Sequence, residues 1–298
     1  MIPFDYATTL CSFPERSRCV INTAILTDLD GTLFDSHGVV SPSNRGAIAD
    51  YISSGGIFAI ATGREPQNAR RHLPDLPING PSIVLNGAAV YDFASHRYLT
   101  TVLMDKETGS QVVASCLENK WKLDIQVYTT DGIFYATPIE TADPGYLRIH
   151  QPTSYLPLSQ LETLDWIKVV MLEREAGALA TMRDYLKQVG FEHRVALVEG
   201  TTDVVKIGKY VELLPPGINK GTAVSFLREL PEYEGRTIYA IGDYWNDIEL
   251  LNAADVACCP TNAIDEVKAV CKHIVASHND GAIADLVRRV IFNQSAVE

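Results

Sequence analysis

The chain has 298 residues, of which 46% are hydrophobic and 21% charged, a composition typical of a globular protein of about two domains. Its formal net charge is −12, which argues against nucleic acid or an anionic membrane as a partner, since either would need a basic surface. No apolar run reaches the roughly 18 residues that a membrane-spanning helix needs.

The N-terminal segment, residues 1–22, mixes polar and charged side chains and lacks the apolar core of a signal peptide. We therefore predict a short leader ahead of the first strand and a cytoplasmic location. The six cysteines form no Cys-x-x-Cys pair, which disfavours a zinc ribbon and favours reduced thiols.

The first third of the chain alternates between strand and helix patterns. Short apolar runs predict strands at 24–27, 57–61 and 82–85. Helices are predicted between them at 42–54, which opens at a proline and stops at a Gly-Gly pair, and at 65–72. Strands separated by helices are typical of a parallel sheet.

The middle of the chain has a different pattern. Thr130-Asp131-Gly132 lies between two alternating segments, which is a strong hairpin signal. A second hairpin at 88–100, a strand at 166–172 and helices at 105–119 and 176–189 complete an antiparallel α+β pattern. We interpret this part as a separate, inserted domain.

The last third returns to the first pattern. Helices are predicted at 220–229, 247–254, 263–270 and 281–292, and strands at 237–241, 255–258 and 273–276. The whole chain is therefore predicted to be an α/β fold. A Rossmann-like parallel-sheet core, residues 23–87 and 195–298, is interrupted by an α+β cap domain, residues 88–194.

The most informative motif is Asp28-Leu29-Asp30-Gly31-Thr32, which directly follows the first strand. Asp28 and Asp30 are two residues apart, so in an extended chain they face the same side. Open α/β sheets bind ligands at the carboxyl ends of their strands. Two carboxylates there repel each other unless a cation, a shared proton or separate roles let them coexist. The motif therefore indicates metal-assisted phosphate chemistry.

Three more blocks follow predicted strands or open predicted helices: Ala61-Thr62-Gly63-Arg64, Asn219-Lys220-Gly221-Thr222 and Gly242-Asp243-Tyr244-Trp245-Asn246-Asp247. The first offers a hydroxyl, a glycine amide and a guanidinium, which suit an anion. The second places a lysine at the positive end of a helix, where it can neutralise a carboxylate or phosphate. The third adds two acids to the same edge of the sheet.

Together and in this order, the four blocks resemble those of the haloacid dehalogenase-like superfamily, in its Mg²⁺-dependent phosphatase branch. The segment between the second and third blocks is similar to the type-two cap of the Cof-like phosphatases. The resemblance runs from about Ala24 to Arg289. It implies a Mg²⁺-dependent phosphomonoester hydrolase that forms an aspartyl-phosphate and acts on a small phosphorylated metabolite, with a sugar phosphate as the expected substrate.

The resemblance also implies roles for individual residues. Asp28 matches the nucleophile, Asp30 the general acid and base, and Lys220 the lysine that stabilises the nucleophile and the phosphoryl group. Phosphate or substrate contacts are implied for the Leu29 amide, Thr62, Gly63, Arg64 and Asn246. Metal ligands are implied at Asp28, Asp30 through its carbonyl, Asp243 and Asp247, the last through water.

Some assignments stay open from sequence alone. Arg64 either contacts the substrate or the cap, or forms a surface ion pair, and Asn86-Gly87 is either a hinge turn or a substrate contact. Tyr244 and Trp245 are expected to pack at a helix start or, alternatively, to line the mouth of the site. Candidate cap residues over the site are Tyr128, Tyr135, Arg148 and Trp166. Neither the oligomeric state nor the specific substrate follows from the sequence.

Three other functions compete with hydrolysis. A phosphomutase of the phosphomannomutase-like kind would use the same blocks and the same kind of cap. A non-catalytic small-molecule-binding protein is disfavoured by the intact set of acids together with Lys220. A dehalogenase is disfavoured because its chemistry has no acid at the position of Asp30.

Overall fold

The computed structural model of the chain describes residues 21–138, 154–201 and 209–294. The predicted leader up to residue 20 and the candidate Arg148 lie outside these ranges. In chain order the strands are β1 Thr23–Thr27, β2 Ile57–Ile60, β3 Ser82–Val84, β4 Ala89–Asp92, β5 Arg97–Thr101, β6 Leu123–Thr129, β7 Ile133–Tyr135, β8 Ser154–Tyr155, β9 Trp166–Glu173, β10 Ala196–Thr201, β11 Lys209–Leu214, β12 Thr237–Ile241, β13 Val256–Pro260 and β14 His273–Val275.

The helices are α1 Pro42–Ser53, α2 Pro66–His72, α3 Lys106–Glu118, α4 Leu158–Leu161, α5 Ala178–Gln188, α6 Lys220–Arg228, α7 Ile248–Ala253, α8 Asp265–Val270, α9 Ala282–Asp285 and α10 Phe292–Gln294. Between α9 and α10 the chain continues in wider helical turns, Leu286–Ile291. Short helical turns also occur at Leu29–Leu33, Leu85–Gly87, Pro231–Tyr233, Trp245–Asp247 and His278–Asp280. Among the described residues, no helix combines the length and the hydropathy that crossing a bilayer requires.

The core sheet has five parallel strands in the order β14-β13-β12-β1-β2. Strand β1 lies between β12 and β2, so the carboxyl ends of these three strands meet at one edge. A crossover through helices joins consecutive parallel strands, which explains the alternating pattern in the sequence. The predicted α/β class with a parallel-sheet core is therefore confirmed.

Both faces of this sheet are covered, as a parallel sheet requires. On one face, Leu26 of β1 packs in a cluster with Val224 and Leu227 of α6. On the other face, Ile25 packs in a cluster with Ile48 and Tyr51 of α1. This continuous burial accounts for the uninterrupted apolar run of β1.

A second, largely antiparallel sheet has the order β10-β11-β9-β6-β7-β8. One face is covered by α3 and α5 in a separate cluster that includes Trp166, Met171 and Met182. On the other face, Tyr128 and Val170 belong to the same hydrophobic cluster as core residues. The sheet therefore packs with that face toward the core.

The strand pairing departs from the predicted limits of the cap, 88–194, at both ends. Strand β4 pairs with β3 and β5 pairs with β4, while β3 is bridged to the core through Ala61 and Ile83. Strand β11 pairs with β9, and β10 pairs with β11, although both follow residue 194. By strand pairing alone, the hairpin at 89–101 belongs with β3 of the core, and the chain up to Leu214 belongs with the cap sheet. The domain limits themselves stay a prediction.

Candidate active site

Asp28 directly follows β1, which lies between β12 and β2 in the core sheet. Its backbone N–H donates to the carbonyl of Ile241 at the end of β12, over 2.9 Å. Its side chain is largely buried, and its Oδ1 accepts a hydrogen bond from Lys220 Nζ over 2.6 Å. Burial, offset only in part by Lys220, raises the pKa of the Asp28 carboxyl well above its ordinary value.

Lys220 is the first residue of α6 and its ammonium is fully buried. The helix start is fixed by Asn219, whose Oδ1 accepts from the Thr222 N–H over 2.9 Å. Lys220 Nζ donates to Asp28 Oδ1 and also to Asp247 Oδ1, over 2.7 Å. Burial lowers the pKa of Lys220, but the two carboxylates more than offset this, so the pKa lies above its ordinary value and the ammonium stays charged.

Asp247 is fully buried and uses both of its carboxylate oxygens. Oδ1 accepts from Lys220, while Oδ2 accepts from the backbone N–H groups of Asp243 and Tyr244, over 3.0 and 3.1 Å. Asp247 therefore ties the lysine to the loop that follows β12. Its predicted role at the metal site stays a prediction.

Asp243 lies beside the turn that follows β1. Its Oδ1 accepts from the Thr32 hydroxyl over 2.8 Å, and burial together with the charge of Asp247 raises the pKa of Asp243 to about 6. Gly31 has φ of +77°, and a Cβ on it would lie 2.3 Å from Asp243 Oδ2. The glycine is therefore needed both for its left-handed backbone and for the close approach of this carboxylate.

Three of the predicted acids form one cluster. Carboxylate oxygens of Asp28, Asp243 and Asp247 all lie within 4.8 Å of one another. Hard oxygen donors of this kind are the ligands that Mg²⁺ prefers. Because Asp28 and Asp243 are ionised only at a cost in this crowded, buried position, a divalent cation would relieve their repulsion. The residues present therefore fit a Mg²⁺ ion.

The side chain of Asp30 points instead to Arg64. Arg64 Nη2 donates to Asp30 Oδ1 over 2.6 Å, and Nε donates to Oδ2 over 2.9 Å, which makes a bidentate pair. Arg64 Nη1 also donates to Asn68 Oδ1 over 2.8 Å. Of the alternatives left open from sequence, the structure matches the ion pair, and it places that pair two residues along the chain from Asp28.

Thr62 and Gly63 lie at the end of β2, next to β1. Thr62 is buried, and its Oγ1 accepts from the Arg64 N–H over 3.1 Å, which leaves the hydroxyl hydrogen to be donated elsewhere. A Cβ on Gly63 would lie 2.8 Å from Asn86 Nδ2, so the glycine lets Asn86 approach. Their role as phosphate contacts stays a prediction.

Sequence reasoning missed a buried network that joins the cap to this edge of the core. Lys168 Nζ of β9 donates to the Gly63 carbonyl over 2.9 Å and to Glu212 Oε2 of β11 over 2.8 Å. Asn86 Nδ2 donates to the same Glu212 oxygen over 2.8 Å, and Asn86 Oδ1 accepts from Asn246 Nδ2 over 3.2 Å. The signal available in the sequence was a charged residue inside each of two apolar strands.

A cavity of about 660 Å³ opens between the cap sheet and the end of the core that carries Lys220 and Asn246. From the core it is lined by Lys220, Asn246, Tyr244 and Trp245, and from the cap by strands β10 and β11 and helix α5. Tyr244 and Trp245 are about half exposed, so the alternative in which they line the mouth is the one observed.

Three of the candidate cap residues, Trp166, Tyr135 and Tyr128, are not among the residues that line this cavity. Trp166 is fully buried in the cap's own cluster, and its Nε1 donates to the Leu161 carbonyl over 2.7 Å, so its prediction as a lining residue is wrong. Tyr135 is also fully buried. Tyr128 lies under Lys168, whose Nζ is 4.7 Å from the ring centroid. Tyr210 of β11, which the sequence did not single out, lines the cavity instead.

Known proteins with similar sequences or structures include several phosphatases. A family model described as haloacid dehalogenase-like hydrolase matches residues 25–287. The 5-amino-6-(5-phospho-D-ribitylamino)uracil phosphatase of Bacillus subtilis is 28% identical, over 91% of this chain and 99% of its own length. The pyridoxal phosphate phosphatase of Escherichia coli is 23% identical, over 88% and 96%. The solved structure of a HAD subclass IIB sugar phosphatase has a TM-score of 0.72 at 16% identity, covering 90% of this chain and 98% of that one, and so supports the fold alone.

Proposed function

This chain belongs to the haloacid dehalogenase-like hydrolases, and from that premise we propose that it is a Mg²⁺-dependent phosphomonoester hydrolase working through an aspartyl-phosphate on Asp28. The observation that supports this most directly is the buried Asp28–Lys220–Asp247 chain beside a third acid, Asp243. The match to the family model confirms the family predicted from the four motif blocks, and the similar phosphatases confirm a phosphatase as the class of enzyme.

In the proposed first step, Asp28 attacks the phosphorus of the substrate. One carboxylate oxygen, Oδ1, is held by Lys220, which leaves Oδ2 as the attacking atom. A bond forms between Oδ2 and phosphorus while the bond from phosphorus to the ester oxygen breaks, and the alcohol leaves. In the second step water attacks the same phosphorus, releases phosphate and restores Asp28.

Phosphoryl transfer is accelerated mainly by positioning and by charge stabilisation. A Mg²⁺ ion held by Asp28, Asp243 and the Asp30 carbonyl, with Asp247 acting through water, would supply positive charge next to the transferring phosphoryl group. The Lys220 ammonium supplies a second, permanent charge, held against Asp28 Oδ1. These charges let one anion, Asp28, approach another, the phosphate.

Asp30 is proposed to move the protons. It would donate one to the leaving ester oxygen and then take one from the attacking water. Arg64 donates to both oxygens of Asp30 in this structure, so we assign Arg64 to positioning Asp30, and one of the two oxygens would have to leave Arg64 when Asp30 carries the proton. Phosphate contacts are proposed for the Leu29 and Gly63 amides, the Thr62 hydroxyl and the Asn246 amide.

The substrate is proposed to be a small phosphorylated metabolite. A cavity of about 660 Å³ lies within the usual range for metabolite sites. The relatives named above act on a phosphorylated ribitylaminouracil and on pyridoxal phosphate, and the similar fold is that of a sugar phosphatase. A sugar phosphate remains the substrate we expect, with the exposed rings of Tyr244 and Trp245 as a surface for the leaving group.

The test is a phosphate-release assay on the purified chain with an aryl phosphate, with and without Mg²⁺, followed by a panel of phosphorylated metabolites. We expect release that requires Mg²⁺ and is abolished in Asp28→Asn. Absence of release from every substrate, in a folded protein that binds Mg²⁺, would overturn the enzyme assignment. Transfer of the phosphoryl group to a sugar instead of water would replace hydrolysis by a phosphomutase reaction.

A further inference from the structure

The buried network between the cap and the phosphate end of the core carries a further inference, which rests on the proposed function. We propose that Lys168 and Glu212 are positioning residues for the phosphate site. Although both belong to the cap sheet, they fix the orientation of the Gly63 peptide and of the Asn86–Asn246 amide pair. A cap seated on the core is then a condition for tight phosphate binding.

The burial of this ion pair needs an explanation beyond stability. The side chain of Lys168 is 2% exposed and that of Glu212 is 10% exposed. Removing two charges from water costs about as much as their attraction returns, and an apolar pair of similar size often serves stability as well or better. The charged ends of the pair reach polar groups of the core, the Gly63 carbonyl and the Asn86 amide, which indicates a task that requires charged donors and acceptors.

The partners of the Lys168 ammonium are all accounted for in the described part of the chain. Nζ donates to the Gly63 carbonyl and to Glu212, and its remaining face lies over the Tyr128 ring. The ammonium is therefore engaged with protein groups on each side, and it acts on the site through Gly63.

The Gly63 carbonyl controls the Thr62 hydroxyl through one planar peptide. In a trans peptide the C=O and the following N–H point in opposite directions. Lys168 holds the C=O of Gly63 toward the cap, so the N–H of Arg64 is held toward Thr62 Oγ1, where it donates over 3.1 Å. Because Thr62 Oγ1 is occupied as an acceptor, its own hydrogen is directed away, toward the phosphate position.

Glu212 determines the direction of the hydrogen bonds in a second chain of contacts, which runs through Asn86 to Asn246. Since a carboxylate only accepts, it requires the Nδ2 end of Asn86, over 2.8 Å, and turns Asn86 Oδ1 toward Asn246. That oxygen in turn requires the Nδ2 end of Asn246. One hydrogen of this amide is used by Asn86, and the other remains for a phosphate oxygen. Glu212 thus determines that Asn246 faces the site as a donor.

The backbone at Asn86 supports a functional reading. Leu85 and Asn86 both have φ of 54°, a left-handed conformation that costs non-glycine residues about 1 kcal/mol or more. Two such residues in a row persist only where the surroundings hold them, and they cluster at functional sites. Here the hydrogen bond that Asn86 donates to Glu212 and the one it accepts from Asn246 hold the turn that brings Asn86 against Gly63.

The test compares the double variant Lys168→Met/Glu212→Gln with wild type. It removes both charges together, keeps an acceptor for Asn86 and takes the donor from Gly63. We expect the Kd of inorganic phosphate, measured by calorimetry with Mg²⁺, and the KM of an aryl phosphate both to rise about five- to tenfold, the effect of one or two lost hydrogen bonds. The kcat is expected to change by less than about threefold, since this binding is shared by ground and transition states.

The matched control is Asp124→Asn/Arg174→Met, which removes another ion pair of the cap sheet. Asp124 is fully buried, and Arg174 Nε lies 3.2 Å from its Oδ1. This control is expected to lower the melting temperature while leaving the phosphate Kd and the KM unchanged. A purely structural role for Lys168 and Glu212 would give the same pattern in their double variant, and that result would overturn the proposal.

A second variant, Asn86→Gly, removes the core side chain that links Glu212 to Asn246. Glycine adopts φ of 54° without strain, and Glu212 keeps Lys168 as its partner. The phosphate Kd is expected to rise about fivefold, so this variant decides the question if the double variant does not fold. Unchanged phosphate binding in Asn86→Gly would overturn the amide path. A wild type that binds phosphate but hydrolyses no ester would instead overturn the proposed function and leave these binding results interpretable.

Discussion

Replacing Gly31 by alanine should weaken the proposed Mg²⁺ site by more than the accompanying loss of fold stability explains. A Cβ at this position would lie 2.3 Å from Asp243 Oδ2, and the Cγ and Oδ1 atoms of the same carboxylate are at 2.9 and 3.0 Å. Because all three atoms are close, rotating the carboxylate does not open a space. The Thr32 hydroxyl also holds Oδ1, so Asp243 can yield only by moving as a whole.

The magnitude has two parts. The left-handed backbone, φ +77°, costs an alanine about 1–2 kcal/mol of stability wherever it occurs. In addition, Asp243 must retreat by about 1 Å or slightly more to restore an ordinary contact, and displacing groups that orient a metal site costs about 10–100-fold in metal affinity. The first effect lowers the melting temperature, and the second raises the Mg²⁺ concentration needed for activity.

Gly38→Ala is the matched control. Gly38 has a similar φ of +72° in the same part of the chain, and a Cβ there meets nothing within 4 Å. The assay is the rate of aryl phosphate hydrolysis as a function of Mg²⁺ concentration, with melting curves for both variants. We expect similar losses of stability, and a half-activating Mg²⁺ concentration about 10–100-fold higher in Gly31→Ala alone. Equal Mg²⁺ dependence in the two folded variants would refute the reasoning that Gly31 makes room for a metal ligand.

The other predictions concern the proposed catalytic groups. Asp28→Asn should form no phosphoenzyme, whereas Asp30→Asn should accumulate the phosphoenzyme or turn it over slowly. Mass spectrometry of quenched reactions measures the phosphoenzyme, and identical behaviour of the two variants would contradict the proposed division of roles. Lys220→Met should lower kcat by at least about 100-fold, because a preorganised charge at the phosphoryl group is lost. A smaller fall in kcat, measured by steady-state kinetics, would mean that Lys220 does not stabilise the transition state. Arg64→Lys, which removes the bidentate pair, should lower kcat about tenfold with little change in KM; a rise in KM alone would make Arg64 a substrate contact.

Much of the core and of the candidate site was predictable because its signals are local. Asp28, Thr62 and Asp243 each follow a parallel strand, and parallel strands of one sheet bring their carboxyl ends to the same edge. The order of the strands was not needed for this conclusion. The helix start at Lys220 was likewise local, since Asn219 caps the helix from the preceding position.

The partner of Arg64 could not be read from the sequence. Arg64 and Asp30 are 34 residues apart, and their contact depends on how two turns after neighbouring strands face each other. A guanidinium at a strand end suits a phosphate and a carboxylate equally well. Only the geometry distinguishes the two, and it places Arg64 on the acid that is proposed to move protons.

The cap contacts were missed for a different reason, which also limits what any single motif can reveal. Lys168 and Glu212 lie on antiparallel strands 44 residues apart, and their register is set by pairing across β9 and β11. A lone charge in an apolar strand is compatible with a solvated edge, a structural pair or a functional contact. What distinguishes these cases is the element on the other side of the sheet face, here the Gly63 turn and Asn86. Because that element belongs to the core, the role of these two cap residues emerges only when the two parts of the fold are seen together, whereas each charge can be recognised as unusual from its own strand.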